Sequence, residues 1–186
     1  NGDIQRLELY KAEGDQIIVV ADVGGSYGDM WGKGFVYHEN GKPIVDENGV
    51  PLTSELKKLG NITPDWLASI NNSFTYGNFN FSFLIDAKWG GDIYSRTNQD
   101  GWATGALTST TGLNANGVSI RDPLDVGGGY LFDGVFEDGS PNNMYQYLDD
   151  FRWNGFAMGE RWIYDASYVK LRQISLTYAL PRKLVN

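Results

Sequence analysis

The chain is predicted to be all-β, with antiparallel strands and long loops. Three observations predict this. Residues 66–89 form two alternating apolar/polar runs joined by Gly77-Asn78. The composition, with 24 Gly, only six Pro and 14% aromatic residues, suits many turns and excludes a disordered chain. Only one segment, 52–65, reads as convincingly helical.

The hairpin carries most of the information. In the second run Phe79, Phe81, Phe83, Ile85, Ala87 and Trp89 share one face, and Asn80, Ser82, Leu84, Asp86 and Lys88 share the other. In the first run Ala68, Ile70, Phe74 and Tyr76 form the apolar face, interrupted by Asn72. Glycine supplies the positive φ that a two-residue turn needs. Such a turn pairs Tyr76 with Phe79, Phe74 with Phe81, Ile70 with Ile85 and Ala68 with Ala87. Turn chemistry and side-chain period thus predict the same register. At roughly 3.3 Å per residue and a tilt of about 45°, the second run rises about 25 Å, the height of the apolar band on a transmembrane barrel. The same alternation also serves the core of a soluble β-sandwich, so the pattern alone leaves both architectures open.

Composition narrows the function classes. A net charge of −8 argues against nucleic acid as a partner. The absence of cysteine excludes disulfides, thiolate metal sites and a cysteine nucleophile. No run approaches 18 apolar residues, which excludes transmembrane helices but not transmembrane strands. The chain starts at Asn1 with no leader-like segment, and we read it as an internal piece of a longer protein.

Taken in order, residues 1–15 suggest a short strand or turn around Ile4, Leu7, Leu9 and Tyr10, and 17–20 a β-branched strand. Gly24, Gly25 and Gly28 lack the spacing of a phosphate-binding loop. Residues 34–38 read as a strand, and Asn40-Gly41 and Asn48-Gly49 as the turns of a small meander. Asp46, Glu47 and Asn48 lack the alternate spacing of a calcium loop. His38, the only histidine, reads as a strand surface residue. In 52–65, Ser54 is the expected cap of a short helix ending at Gly60. The hairpin region extends over 66–94, with a break or bulge at Gly90-Gly91. Residues 95–160 show no sustained period and read as one long loop, with a short helix at 144–151. A further strand spans 163–181. Val169 and Leu171 lie on one face and Ile174, Leu176, Tyr178 and Leu180 on the other, so the phase slips near Arg172-Gln173, as at a bulge or a crossing from a loop to a membrane environment. Pro181 ends that strand, and Arg182-Lys183 are expected at a water interface.

Asp165-Ala166-Ser167-Tyr168-Val169-Lys170-Leu171-Arg172, followed by Ile174-Ser175-Leu176-Thr177-Tyr178 and Leu180-Pro181, closely resembles a C-terminal signature of SusC/RagA-type TonB-linked outer-membrane proteins. Upstream, Leu59-Gly60-Asn61 with Pro64 and Trp66 resembles the segment before a hairpin in that family. Asn72, Phe74 and Tyr76, then Ile85-Asp86 and Gly90-Gly91-Asp92-Ile93, follow in the family's order, as do Asp133-Gly134 and Glu137-Asp138-Gly139-Ser140-Pro141-Asn142. The resemblance covers roughly residues 16–183. It implies a fragment of a larger transmembrane β-barrel in the outer membrane of a Gram-negative bacterium. It implies a transporter with an N-terminal plug, powered by the TonB complex through a part absent here and lidded by a SusD-like surface lipoprotein. The implied cargo is oligosaccharide, sometimes peptide.

No catalytic function and no cofactor or metal is expected: there is one histidine, and the carboxylate pairs Glu137-Asp138 and Asp149-Asp150 sit in no identifiable scaffold. Ligand contact is expected, if anywhere, from aromatic residues in 95–160. Trp102, Tyr130 and Trp153 are the candidates, since flat rings pack against sugars as readily as against one another. The alternative is a secreted or surface glycan-binding β-sandwich. A lipid-facing Phe79 strand cut from its barrel is expected to bury Phe79, Phe81 and Phe83 against its own loops, a second copy or detergent.

Overall fold

The computed structural model describes residues 5–12, 17–156 and 158–181, with no side chain described from 153 to 156. The fold is mostly antiparallel sheet, and helices take up only 14% of the chain. None of the described helices is long and apolar enough to cross a membrane, which says nothing about strands. The residues fall into two compact units: Asn1–Asn61 with Ile93–Tyr164, and Ile62–Asp92 with Asp165–Asn186.

The first unit opens with a meander of β1 (Arg6–Lys11), β2 (Ile18–Asp22), β3 (Tyr27–Gly32) and β4 (Lys57–Asn61), each antiparallel to the next. The β-branched run in β2 buries Val19 with Ala12, Ile17 and Met30, and Leu59 packs alongside. The glycines at 24 and 25 serve the β2–β3 turn, where Gly25 N donates to Asp22 O.

Residues 52–65 hold no helix. Asp29 and Met30 of β3 pair with Asn61 and Gly60 of β4, so strand pairing overrides the local helical signal. Ser54, the expected cap, instead accepts from Gly34 N and donates to Glu55 O. Residues 34–38 form isolated bridges rather than a strand, Phe35 with Thr53 and Tyr37 with Pro43, and the Asn-Gly turns fall where expected. Asp46 Oδ1 accepts from Asn48 N and Val50 N, so this carboxylate shapes its own turn.

The 95–160 stretch is folded rather than one long loop. Ser95 Oγ accepts from Asn98 N and starts α1 (Arg96–Ala103). β8 (Tyr130–Leu131) pairs with β9 (Tyr145–Gln146). α2 (Leu148–Phe156) begins four residues later than the helix expected at 144–151, because Tyr145 and Gln146 are committed to β9. Trp102, Ile120, Leu148, Phe151 and Trp162 form one core, joined by Tyr130 and Phe132. These residues come from separate short elements, and no sequence period links them.

In the second unit β5 (Trp66–Tyr76), β6 (Phe79–Trp89) and β11 (Tyr168–Tyr178) form a three-stranded antiparallel sheet with β6 central. The predicted strand 163–181 is two pieces, β10 (Ile163–Asp165) and β11; β10 pairs with the short β7 (Asp92–Tyr94). The sheet does not close on itself. Residues 182–186, which include the Arg182-Lys183 pair expected at a water interface, lie outside the described residues.

One buried charge in the first meander gives a pH-dependent prediction. Asp29 Oδ1 accepts from Asn61 Nδ2 at 2.6 Å and pairs with Lys58 Nζ at 2.7 Å. Burial pushes its carboxyl up, but the Lys58 and Asn61 donors outweigh that and hold it below the usual carboxylate range. The pair therefore stabilises the fold fully above the unfolded value of about 3.9, and the contribution is lost as pH falls through the lower folded value. Asp29→Asn is expected to lower the melting temperature at pH 7, with the gap to wild type narrowing by pH 3. Equal gaps in thermal melts at both pH values would rule the pair out as a stabilising element.

Candidate functional site

The functional surface is the two-faced sheet of the second unit. Its hairpin register follows the expectation at every pair: Tyr76 lies opposite Phe79, Phe74 opposite Phe81, Ile70 opposite Ile85 and Ala68 opposite Ala87. Gly77 takes φ 55° at the turn. β11 joins the other edge of β6, with Val169 opposite Ala87 and Leu171 opposite Ile85. The register then shifts by one residue. Ile174 lies opposite Phe83, Leu176 opposite Phe81 and Tyr178 opposite Phe79. The phase slip in the sequence is thus a β-bulge at Arg172, the one residue of β11 with no partner on β6. Across the bulge, Val169, Leu171, Ile174, Leu176 and Tyr178 keep to the side of the phenylalanines, while Tyr168 lies with the polar residues.

The resulting apolar face is open. Tyr76 is 88% exposed, Leu176 71%, Ile174 64% and Phe79 51%. The expectation that the fragment would hide this face fails for Phe79, while Phe81 and Phe83 are half-buried by flanking strands. Aromatic residues mark both ends. Trp66 and Trp89 stack at 6.0 Å with ring planes 9° apart, and at the turn end the Phe79 and Tyr178 rings lie 4.6 Å apart. Asn72, opposite Phe83, interrupts the face, and nothing in the structure explains it.

The opposite face is polar. Near the turn, Asn80 Nδ2 donates to Ser73 Oγ and Thr75 Oγ1. Toward the other end, Asp86 lies between Ser69 and Lys170. Arg172 Nη2 donates to Asp86 Oδ2 at 2.7 Å, and Tyr168 Oη donates to the same oxygen at 3.2 Å. The bulge therefore delivers a guanidinium to this face while leaving the apolar side in phase. Leu67, Ser69, Asp86 and Tyr168 line a shallow concavity there.

Where the strands end, motif residues far apart in sequence meet. Gly90 N donates to Ser167 Oγ, Ala166 N to Gly91 O, and Asp65 N to Trp89 O. Asp165 Oδ1 accepts from Ser167 N at 2.7 Å. A hydrogen bond from the Ser167 side chain, reinforced by the Ser167 backbone N–H, lowers the Asp165 carboxyl below its ordinary value. Gly91 takes φ 76°, which strains any other residue, and a Cβ there would stand a tight 3.1 Å from Ile62 O.

The aromatic candidates separate. Trp102 is 1% exposed, packed edge-on against Tyr130 and Phe151 and under the Arg161 guanidinium at 4.0 Å. It is a core residue, out of reach of a ligand in this arrangement. Tyr130 is half-buried and lines a surface depression with Leu113, Asn114 and Tyr145. Trp153 lies in α2, and its side chain is outside the described residues. The structure does not bring the three together as one site. The acidic pairs have local partners: Asp138 accepts from Ser140 N and Oγ, and Asp149 pairs with Arg152. Among the described residues no three His, Cys, Asp or Glu are arranged to hold a metal. Sequence reasoning misses Arg172 and Tyr168 as site residues, although the phase slip marks the first.

No protein-family profile matches the chain. Over 142 residues it is 28% identical to TonB-dependent receptor P3 of Formosa agariphila, covering 76% of this chain and 12% of that protein. The similarity supports a relationship to TonB-dependent receptors at the level of a segment.

The bulge makes deletions informative. Without Arg172 the sequence of β11 alternates perfectly, so its deletion is expected to leave sheet assembly intact and remove only the Asp86 link, a loss of up to about 1 kcal/mol for an exposed pair. Deleting Ser175 instead throws Leu176 and Tyr178 onto the polar face and is expected to abolish assembly. The comparison is made by thermal melts of the two variants against wild type; equal behaviour of the two deletions would contradict the register argument.

Proposed function

We propose that this chain is part of the wall and outer loops of a TonB-dependent importer in the outer membrane of a Gram-negative bacterium. One observation carries the reading: an open apolar face, shared by three 11-residue strands, broken only at Asn72 and edged by aromatic residues at both ends. Each strand at roughly 3.3 Å per residue and a tilt near 45° spans about 25 Å, which matches the lipid-facing band and aromatic girdles of a barrel wall. The polar face is then the wet interior. A secreted glycan-binding sandwich, the alternative from sequence, needs a second layer over the apolar face, and its exposure argues against that.

The SusC/RagA type follows from the ordered motifs. With it come uptake of oligosaccharides or peptides, a SusD-like lipoprotein as lid and energy from the TonB complex through the N-terminal part of the parent. The chain acts without catalysis in this reading. Orientation follows from barrel convention, with short turns in the periplasm and long connections outside. Gly77-Asn78 is then periplasmic, and residues 93–164 lie on the cell surface.

Two measurements test this. A peptide tag inserted in the parent receptor after Gly117 is expected to be reached by antibody on intact cells, and a tag between Gly77 and Asn78 only after permeabilisation; the reverse pattern would refute the orientation. Ile70→Arg, on the apolar face near mid-strand, is expected to cost roughly 2–4 kcal/mol, while Asn71→Arg on the wet face costs little. Refolding into vesicles along a urea series reads both, and similar penalties would place the two residues in one environment, contrary to a barrel wall.

A further inference from the structure

The polar face of the three-stranded sheet is not uniform. Its turn half carries small neutral side chains such as Ser73, Asn80, Ser82 and Ser175. Its other half gathers Lys88, Lys170 and Arg172 around Asp86 and Tyr168. Within the three strands Asp86 is the carboxylate on that half of the face, with Asp65 beyond the strand end beside Gly90, and Arg172 already holds Asp86 at 2.7 Å. Lys170 lies opposite Asp86, and its ammonium sits over the Tyr168 ring at 4.2 Å. Lys88 lies opposite Tyr168, diagonal to Lys170. Asp165, which also accepts from Ser167 N, attracts Lys88, and Asp86 attracts Lys170, but neither ammonium reaches ion-pair distance. Among the described residues, then, two ammonium groups stand on one face with no carboxylate at ion-pair distance, although the chain as a whole carries −8. They flank the concavity floored by Ser69 and Asp86 and edged by the apolar Leu67.

We propose that this basic half of the wet face is a binding site for anionic groups, carboxylate or sulfate ester, on the solute that the importer takes up. The inference rests on the reading of the sheet as barrel wall and adds the charge class of the cargo. Like charges at diagonal sheet positions repel, so an incoming anion bridging Lys88 and Lys170 relieves a repulsion built into the wall. The Tyr168 ring and Leu67 offer apolar surface beside that anion, which suits an acidic ring compound better than an inorganic ion. The patch lies at the strand ends that lead into residues 90–167. In the proposed orientation this is the outer mouth, where a solute meets the wall first. A positive mouth concentrates anionic solutes and raises their capture rate, an effect that salt suppresses.

The test uses the full-length parent receptor in detergent and titration calorimetry at about 50 mM salt. The probes are tetragalacturonate as acidic saccharide, tetraglutamate as acidic peptide and maltotetraose as neutral saccharide. Wild type is expected to prefer an acidic probe to maltotetraose. K88Q/K170Q is expected to lose roughly tenfold of that affinity with no change toward maltotetraose, and about 0.5 M salt is expected to erase the preference. Lysine-dependent binding of tetragalacturonate assigns an acidic saccharide cargo, and of tetraglutamate an acidic peptide. Equal wild-type affinity for acidic and neutral probes, or unchanged selectivity in the double variant, overturns the proposal. A lowered melting temperature with unchanged selectivity also overturns it, since the lysines then hold another segment of the receptor. Surface tagging of the same variant keeps the outcomes separate: correct topology with no anion preference defeats this inference alone, while wrong topology defeats the barrel reading.

Discussion

Everything in the second unit depends on side-chain phase. A sheet with one oily and one wet face permits no strand to slip by a residue, because a slip exchanges the faces of every side chain beyond it. β5 and β6 satisfy this with an uninterrupted alternation and a two-residue turn. β11 satisfies it with an odd residue, Arg172, which is looped out so that Ile174, Leu176 and Tyr178 rejoin the side of Val169 and Leu171. The bulge has a chemical return. A regular strand at that point places either an apolar residue or a side chain confined to its own row, whereas the extra residue reaches across to Asp86.

The second constraint is where the wall stops. Just past the strand ends, Gly90, Gly91, Asp65, Ala166 and Ser167 pair their polar groups with one another and with Trp89 O. Gly91 is favoured because its positive φ strains any other residue and a Cβ there would crowd the backbone at Ile62. Asp65, Gly90-Gly91 and Ala166-Ser167, from three separate short motifs, therefore belong to one strand-end clasp, although they are far apart in the chain. Their order in the sequence reflects the antiparallel path that brings them together.

The parts legible in the sequence are those where a local rule and a periodic rule agree. Gly77-Asn78 and the alternating runs each specify the hairpin register, so both have to be wrong for the pairing to fail. The bulge is legible because a phase slip within a long alternating run requires an extra residue, and Arg172 is the one that restores the alternation when removed. The helical signal in 52–65 misleads because Ser54 and Gly60 look like helix caps, whereas their segment is decided by pairing with Asp29 and Met30, which local sequence does not encode. The folded character of 95–160 is hidden for a different reason. Its core draws single aromatic residues from α1, β8, α2 and the turn before β10, so the packing has no period to detect.

That core also changes where recognition is to be sought. Large rings in a loop-rich segment attract attention as ligand platforms, but Trp102, Phe151 and Trp162 are used up in holding short elements together. A segment of short helices and two-residue strands has little backbone pairing to stabilise it, and buried aromatic side chains, each worth roughly 1.5–3 kcal/mol or more, supply what the ladders do not. The wall is under the opposite constraint. Its backbone is paired along β6 on both edges, so its cohesion depends less on side-chain burial, although Arg172 and Tyr168 bond Asp86 across the polar face. On the proposed reading, Lys88 and Lys170, which make no close ion pair among the described residues, are better placed to meet a solute than the buried tryptophans.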